Sequence, residues 1–126
     1  MAQQPLNTYK TIVGVVSTTP TEVYSTKTGY TSIILYAQVA STGTGIGTVS
    51  LFHKRQNRTQ AGVTTSLTSI LDGGLIPPND ALIMLDGRLV LERTATKSDS
   101  LVISGISTSI PNKLEFTISV LETLNQ

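Results

Sequence analysis

The stretch "KLEFTISVLETL", Lys113 to Leu124, has the strictest alternation of apolar and polar side chains in the chain. Its apolar positions are Leu114, Phe116, Ile118 and Val120, and the positions between them are Glu115, Thr117 and Ser119. Successive side chains of a β-strand point to opposite faces, so this pattern predicts a strand with one buried and one solvent-facing side.

Eight further segments have strand character, and turn-forming residues separate most of them. They are Tyr9–Ser17, Glu22–Thr26, Thr31–Ser41, Thr48–Gln56, Thr64–Leu71, Ala81–Leu85, Arg88–Thr94 and Leu101–Ser107. Many short strands with closely spaced turns are typical of a sandwich or a barrel. We therefore predict an all-β fold, an antiparallel β-sandwich that is Ig-like or jelly-roll-like, with no substantial helix. Residues 1–8 are expected to form a flexible N-terminal arm and residues 9–126 a single domain.

The alternation also predicts which side chains of the inner strands face the core. Those expected to point inward are Ile33, Leu35, Ala37, Val39, Val49 and Leu51. The opposite face of the strand at Thr31–Ser41 then carries Ile34 and Tyr36, so that face is only partly polar.

Two similar segments lie fourteen residues apart, "ILDGGLI" at 70–76 and "MLDGRLV" at 84–90. Asp-Gly between apolar strand segments is a strong hairpin signal, because glycine accepts a positive φ without penalty. Both Asp-Gly pairs are therefore expected to form tight reversals of the chain.

Composition excludes several classes of function. The chain has 126 residues with nine Lys or Arg against eight Asp or Glu, so its charge gives no reason to expect nucleic acid or a membrane surface as the main partner. It has no cysteine, which excludes disulfides and thiolate metal sites. The start of the sequence does not resemble a signal peptide, so the protein is expected to be made in a cytoplasm.

Catalytic chemistry finds little support in the sequence. His53 is the only histidine, and no nucleophile elbow accompanies it. Most acidic residues occupy predicted turns, where Asp forms local backbone hydrogen bonds, and Asp72 and Asp86 lack the ligand spacing of a calcium loop. We therefore expect no enzyme activity, no catalytic residue, no cofactor and no metal site.

The stretch "ALIMLDGRLVL", Ala81 to Leu91, is apolar on both faces. One face of such a strand can cover the core of its own domain, and the other needs a different cover. Contiguous exposed apolar surface on a soluble domain usually marks an interface, and closed homo-oligomers are its commonest form. The residues predicted to form this assembly interface are Leu82, Met84, Leu89 and Leu91.

The order of these features resembles that of small β-sandwich virion proteins of tailed bacteriophages. The resemblance covers residues 20–124 and is carried by Val23-Tyr24, "SIILYAQVAS" at Ser32–Ser41, Val49–Arg55, "LIPPNDAL" and "LDGRLVLE" within Leu71–Glu92, and "LEFTISVLE" at Leu114–Glu122. The segment from Glu92 to Asp99 departs from the pattern, because it is longer and lacks glycine.

The resemblance implies a non-enzymatic structural component of a virion, made in the bacterial host and bound to other virion proteins. A place on the tail, neck or baseplate is preferred, and a capsid-decorating protein is the alternative.

A carbohydrate-binding module for host attachment is a hypothesis of a different class. Such modules bind sugars through exposed aromatic side chains, and the basic stretch "HKRQNR" at 53–58 suits phosphate or an acidic sugar. The residues predicted as possible ligand contacts are Tyr24, Tyr30, Lys54, Arg55 and Arg58.

Overall fold

The computed structural model describes residues 7–108 and 113–124. Eight strands account for most of them: β1 Asn7–Val15, β2 Thr21–Ser25, β3 Tyr30–Ser41, β4 Gly47–Thr59, β5 Gly62–Ile76, β6 Ala81–Glu92, β7 Lys97–Ser107 and β8 Leu114–Leu124. Within these described ranges no helix has the length and apolarity needed to cross a membrane. Residues 1–6 of the predicted arm lie outside the described residues, whereas Asn7 and Thr8 already pair with β8.

The strands form two antiparallel four-stranded sheets. Sheet 1 has the order β1-β8-β3-β6 and sheet 2 the order β2-β7-β4-β5. This order, with eight strands in two sheets and connections that cross between them, is that of a jelly roll. The predicted all-β sandwich is confirmed, and the strand order selects the jelly-roll form over the Ig form, whose sheets are ordered differently.

The inner faces of the two sheets enclose one apolar core. All four apolar residues predicted to face inward from β8 are buried there, as are Val49 and Leu51 of β4. Each fully buried aliphatic or aromatic side chain of this kind stabilises the fold by about 1.5–3 kcal/mol. The alternation in β8 therefore identified the centre of the fold correctly.

Strand β3 does not alternate through its whole length. Its pairing with β8 passes from Ile34↔Val120 to Tyr36↔Ser119, which leaves Leu35 as one extra residue in β3. This bulge reverses the inward phase: Ile34 is buried before it, and Ala37 and Val39 are buried after it. The prediction that Ile33 and Leu35 face the core is wrong. It assumed that the alternation at Ala37 and Val39 continues back along the strand, whereas the bulge at Leu35 shifts the alternation by one residue.

The two Asp-Gly pairs do not reverse the chain either. Both lie inside long strands, β5 and β6, where Gly73 and Gly87 have φ values of 66° and 145°. Opposite Val49–Leu51, strand β5 uses one extra residue, and β6 does the same opposite Ile34–Tyr36. A glycine with positive φ can occupy a β-bulge as well as a turn. The prediction of two chain reversals was therefore wrong. The segment Ala81–Glu92 is one strand.

Strands β5 and β6 are the edge strands that meet on one side of the sandwich. A Cβ atom at Gly74 of β5 would lie 2.7 Å from Leu82 Cδ2 of β6, so a side chain at this position would require the Leu82 side chain to shift. The remaining edge strands are β1 of sheet 1 and β2 of sheet 2.

Candidate functional site

The four residues predicted to form an assembly interface lie on the inner side of β6. Met84 and Leu91 belong to the buried core, and Leu82 and Leu89 pack against it. All four side chains pack in or against the core of their own domain, so the prediction that they form a contact surface is corrected. Strand β6 has a bulge at Met84, between the pairs Ala37↔Leu85 and Gln38↔Ile83. This bulge keeps the four apolar side chains on the inner side of the strand.

The other side of β6 contributes to an exposed apolar surface, the outer face of sheet 1. Ile83 and Val90 are 51% and 47% exposed. The sequence shows apolar residues on both faces of this strand, but a shift of one residue in the strand pairing decides which of the two faces is exposed. The residues predicted for the interface therefore lie on the inner side of β6, and the exposed apolar residues of this strand are Ile83 and Val90.

Strand pairing places the residues of the outer face in rows that cross all four strands. One row joins Tyr9, Leu121, Ile33 and Val90 across β1, β8, β3 and β6. Every member has a largely apolar side chain, and Tyr9 is 75% exposed. This row is a continuous apolar stripe along the whole width of the sheet.

A second row joins Val13, Thr117, Gln38 and Ile83 in the same manner. It also carries no charge, and Val13 is 68% exposed. Tyr36 donates a hydrogen bond to the Oε1 atom of Gln38, which satisfies one polar group of this row within the chain itself.

The three remaining rows each contain one acidic residue. They join Asn7, Thr123, Thr31 and Glu92, then Thr11, Ser119, Tyr36 and Asp86, and then Val15, Glu115, Ala40 and Ala81. Three acids among twenty positions leave a surface that loses little hydration energy when another protein covers it. A face with few charges and two apolar or neutral rows is suited to protein–protein contact.

Two clusters of polar side chains lie at one end of the core. The first is centred on Glu122, whose side chain is buried. The Tyr24 hydroxyl donates to Glu122 Oε2 at 2.6 Å, and Lys27 Nζ lies 3.3 Å from Glu122 Oε1. Burial would raise the pKa of Glu122, but the hydrogen bonds from Tyr24 and Lys27 and the charge of Lys10 hold it below its usual value. Burial, together with the bond to this carboxylate, raises the pKa of Tyr24.

Two predicted ligand contacts are thereby explained differently. Tyr24 is a core residue that holds Glu122, so its ring is not an exposed platform for sugar. Tyr30 is half-buried, and the Nζ atom of Lys27 lies 5.4 Å from the centre of its ring. Tyr24 and Tyr30 therefore do not form an exposed pair of aromatic rings.

The second cluster is centred on Asp99 of β7, which is fully buried. Arg55 of β4 donates from Nε and Nη2 to the two carboxylate oxygens of Asp99, both at 2.7 Å. The backbone N–H of Glu92 donates to the same carboxylate at 2.9 Å, and His53 Nε2 lies 3.3 Å from it. Burial would raise the pKa of Asp99, but these donors and the positive charge of Arg55 keep it below its usual value.

The basic stretch at 53–58 is divided by the strand period. Arg55 faces inward to Asp99, while Lys54 faces outward and pairs with Glu22 at 3.5 Å. Arg58, at the end of β4, is exposed and has no carboxylate partner among residues 7–108 and 113–124. The five predicted ligand contacts therefore do not form one site, and Arg58 alone stays available.

Nothing in the described part of the chain groups three or more His, Asp or Glu side chains around a possible metal ion. The residues that the sequence analysis missed are Tyr9, Leu121 and Val90 of the apolar row and Glu122. The alternation of apolar and polar residues in β1 and β8 could have indicated Tyr9 and Leu121. A lone glutamate in a strand, such as Glu122, gives no indication that it is buried.

Comparison with known proteins gave no match to any protein-family model and none to any curated protein. Among solved structures, a protein of Bacillus endospore appendages, which are disulfide-linked pili, is 11% identical over 95% of this chain and 88% of that chain, with a TM-score of 0.47. A protein of infectious bursal disease virus, Gt strain, is 12% identical over 94% of this chain and 33% of that chain, with a TM-score of 0.48.

The CBM22-1 xylan-binding domain from Paenibacillus barcinonensis Xyn10C is 13% identical over 95% of this chain and 86% of that chain, with a TM-score of 0.38. Similarities of this size carry no information about function.

Proposed function

We propose that the protein is a non-enzymatic structural subunit of a tailed-phage virion that assembles through the outer face of sheet 1. The observation that carries this proposal is the pair of uncharged rows that cross all four strands of that sheet. The resemblance in sequence order to phage virion proteins supports it. The jelly roll is a fold that occurs in viral capsids, although a fold alone does not determine a function.

The size of the face is adequate for a stable contact. Four strands spaced about 4.8 Å apart and roughly eleven residues long cover an area on the order of 700 Å². A standard protein interface buries about 800 Å² on each partner. Contact over the whole of this face would bury about 1,400 Å² on two copies together, which lies within the range of about 1,200–2,000 Å² for specific interfaces.

The occupant we propose is a second copy of the chain. Two copies of this face bring together apolar rows with few charges to desolvate, which is the condition for a self-complementary contact. A self-complementary contact of this kind gives a twofold dimer. We propose that such dimers are a building unit of the tail, neck or baseplate, which we prefer over a capsid-decorating role.

Light scattering of the purified protein over a dilution series tests the contact. We expect the wild type to form an oligomer that dissociates on dilution. We expect the double variant Val13→Lys with Ile83→Lys to be a monomer, because both lysines place a charge within the same uncharged row. Leu75→Lys with Ile106→Lys is the matched control, since these residues are 65% and 61% exposed on sheet 2 and their change adds the same charge elsewhere.

A monomeric wild type, or variants that keep the wild-type mass, would show that this face is not the contact between copies. Electron microscopy of particles labelled with an antibody to the protein then separates the two positions. Label at the tail, neck or baseplate supports our preference, and label over the capsid surface supports decoration.

A further inference from the structure

A second surface feature lies at the end of the sandwich where β4, β6 and β7 meet. A pocket of about 200 Å³ is lined there by three cationic side chains, Arg58, Arg93 and Lys97, and by the hydroxyl side chains Thr28, Thr94 and Ser98. Its wall is the segment between β6 and β7, residues 93–96. This is the segment that departs from the phage pattern.

Backbone contacts fix this segment against the rest of the domain. The N–H of Arg58 donates to the Thr96 carbonyl at 2.8 Å, and the N–H of Thr94 donates to the Lys97 carbonyl at 2.9 Å. The Thr94 hydroxyl accepts the N–H of Lys97 at 3.0 Å. The cations that line the pocket are therefore attached to an ordered turn and to two strands.

The charges of the pocket are incompletely balanced. In the part of the chain that the structure describes, neither Arg58 nor Arg93 has a carboxylate partner. Arg93 Nη1 instead donates to the Ser98 hydroxyl at 3.1 Å. Lys97 lies 3.9 Å from Glu92, whose Oε2 atom is already bound by Arg55 at 3.2 Å. Like charges held together without counter-charges favour the binding of an anion.

We propose that this pocket binds a tetrahedral oxyanion, a phosphate or sulfate group. Guanidinium groups present planar, paired donors to such oxygens, and the two arginines and the lysine approach from three different backbone positions. A group with three or more acceptor oxygens can use donors from all three, whereas a carboxylate has only two oxygens. The pocket has room for such a group with several waters, since one water occupies about 30 Å³.

Titration of ¹⁵N-labelled protein with inorganic phosphate and with sulfate, followed by NMR, tests this site. Sodium chloride at matched ionic strength is the blank, and glucuronate is the carboxylate arm. We expect saturable shifts at the amides of Arg58 and residues 93–98 with phosphate and sulfate, and weaker binding with glucuronate.

Arg58→Gln and Arg93→Gln are each expected to weaken phosphate binding about tenfold, the loss expected for one charge-assisted hydrogen bond. Arg88→Gln removes the same charge from an exposed residue outside the pocket and should leave binding unchanged. Arg58→Gln keeps the backbone bond to Thr96, so a loss of binding in this variant is not a loss of the turn.

Three results would each overturn the proposal. They are shifts that do not saturate or that chloride reproduces, arginine variants that bind phosphate as wild type does, and glucuronate that binds more tightly than phosphate and sulfate. None of them bears on assembly through sheet 1, because the pocket and that face share no residue.

Discussion

Asp99 is a buried carboxylate whose two oxygens are held by Arg55 and by the backbone of Glu92. A buried charge is costly unless it is paired, so the guanidinium of Arg55 is required for this end of the core to close. The neighbouring Arg58 neutralises no buried carboxylate among the described residues. Two arginines three residues apart therefore differ widely in what they contribute to stability.

We expect Arg55→Gln to lower the free energy of unfolding by about 3 kcal/mol, because it leaves the carboxylate of Asp99 buried without its main partner. The value is at the low end for buried pairs because Arg55 is itself 30% exposed. Arg58→Gln should change stability by less than about 0.5 kcal/mol. Urea unfolding measures both, and equal effects would show that the Arg55–Asp99 pair does not stabilise the fold.

Ile83 and Met84 are adjacent, yet they face opposite sides of sheet 1. Met84→Asp places a charge in the core and should cost on the order of 4 kcal/mol or more. Ile83→Asp should leave the melting temperature of the monomer nearly unchanged and weaken self-association. Circular dichroism melting combined with light scattering separates the two outcomes, and similar melting temperatures would contradict the assignment of the two faces.

At the scale of elements, β5 and β6 are edge strands that carry matching bulges at their Asp-Gly pairs. The fourteen-residue similarity in sequence therefore corresponds to a similar deformation of two strands. Bulges bend and twist an edge strand, which hinders pairing with strands of other proteins. Contact through the outer face of sheet 1 does not require pairing at these edges, so that face is the better candidate for contact.

Gly73 offers a direct test of the bulge. No atom lies within 4 Å of a Cβ built at this position, so substitution meets a conformational cost and no steric one. We expect Gly73→Val to destabilise the protein by about 1–2 kcal/mol, because its φ of 66° is unfavourable for L-residues. Gly73→Asn should cost less, since Asn tolerates this region. Equal losses in urea unfolding would show that the positive φ is not what requires glycine.

At the scale of the whole molecule, two buried carboxylates at one end of the sandwich link stability to pH. The pKa values of Asp99 and Glu122 are both lower in the folded protein than their usual values. The folded state therefore binds these protons more weakly than the unfolded chain does. Their contribution to stability is fully present above the unfolded-state pKa values, near 4, and is lost as the pH falls through the folded-state values.

We expect the free energy of unfolding to fall between about pH 5 and pH 2, as measured by urea titration at each pH. Glu122→Gln should be less stable than wild type at pH 6 but should lose less stability on acidification. Glu115→Gln, a change at an exposed carboxylate, is the control and should keep the wild-type dependence. A Glu122→Gln variant with the full wild-type loss would contradict a depressed pKa at Glu122.

The sequence by itself determined the fold class, the approximate positions of the strands and the inner face of β8. These follow from local signals, because alternation and turn chemistry depend on neighbouring residues. It also showed that Ala81–Leu91 is apolar on both sides, which identified the strand of the candidate contact face.

Only the tertiary structure decided which side of β6 is free, that the Asp-Gly pairs are bulges, and that β3 changes phase at Leu35. A bulge is a property of two paired strands, and a shift of one residue moves every later side chain to the other face. The pocket of Arg58, Arg93 and Lys97 was hidden for the same reason, because pairing between β4 and β7 joins residues that are far apart in the chain.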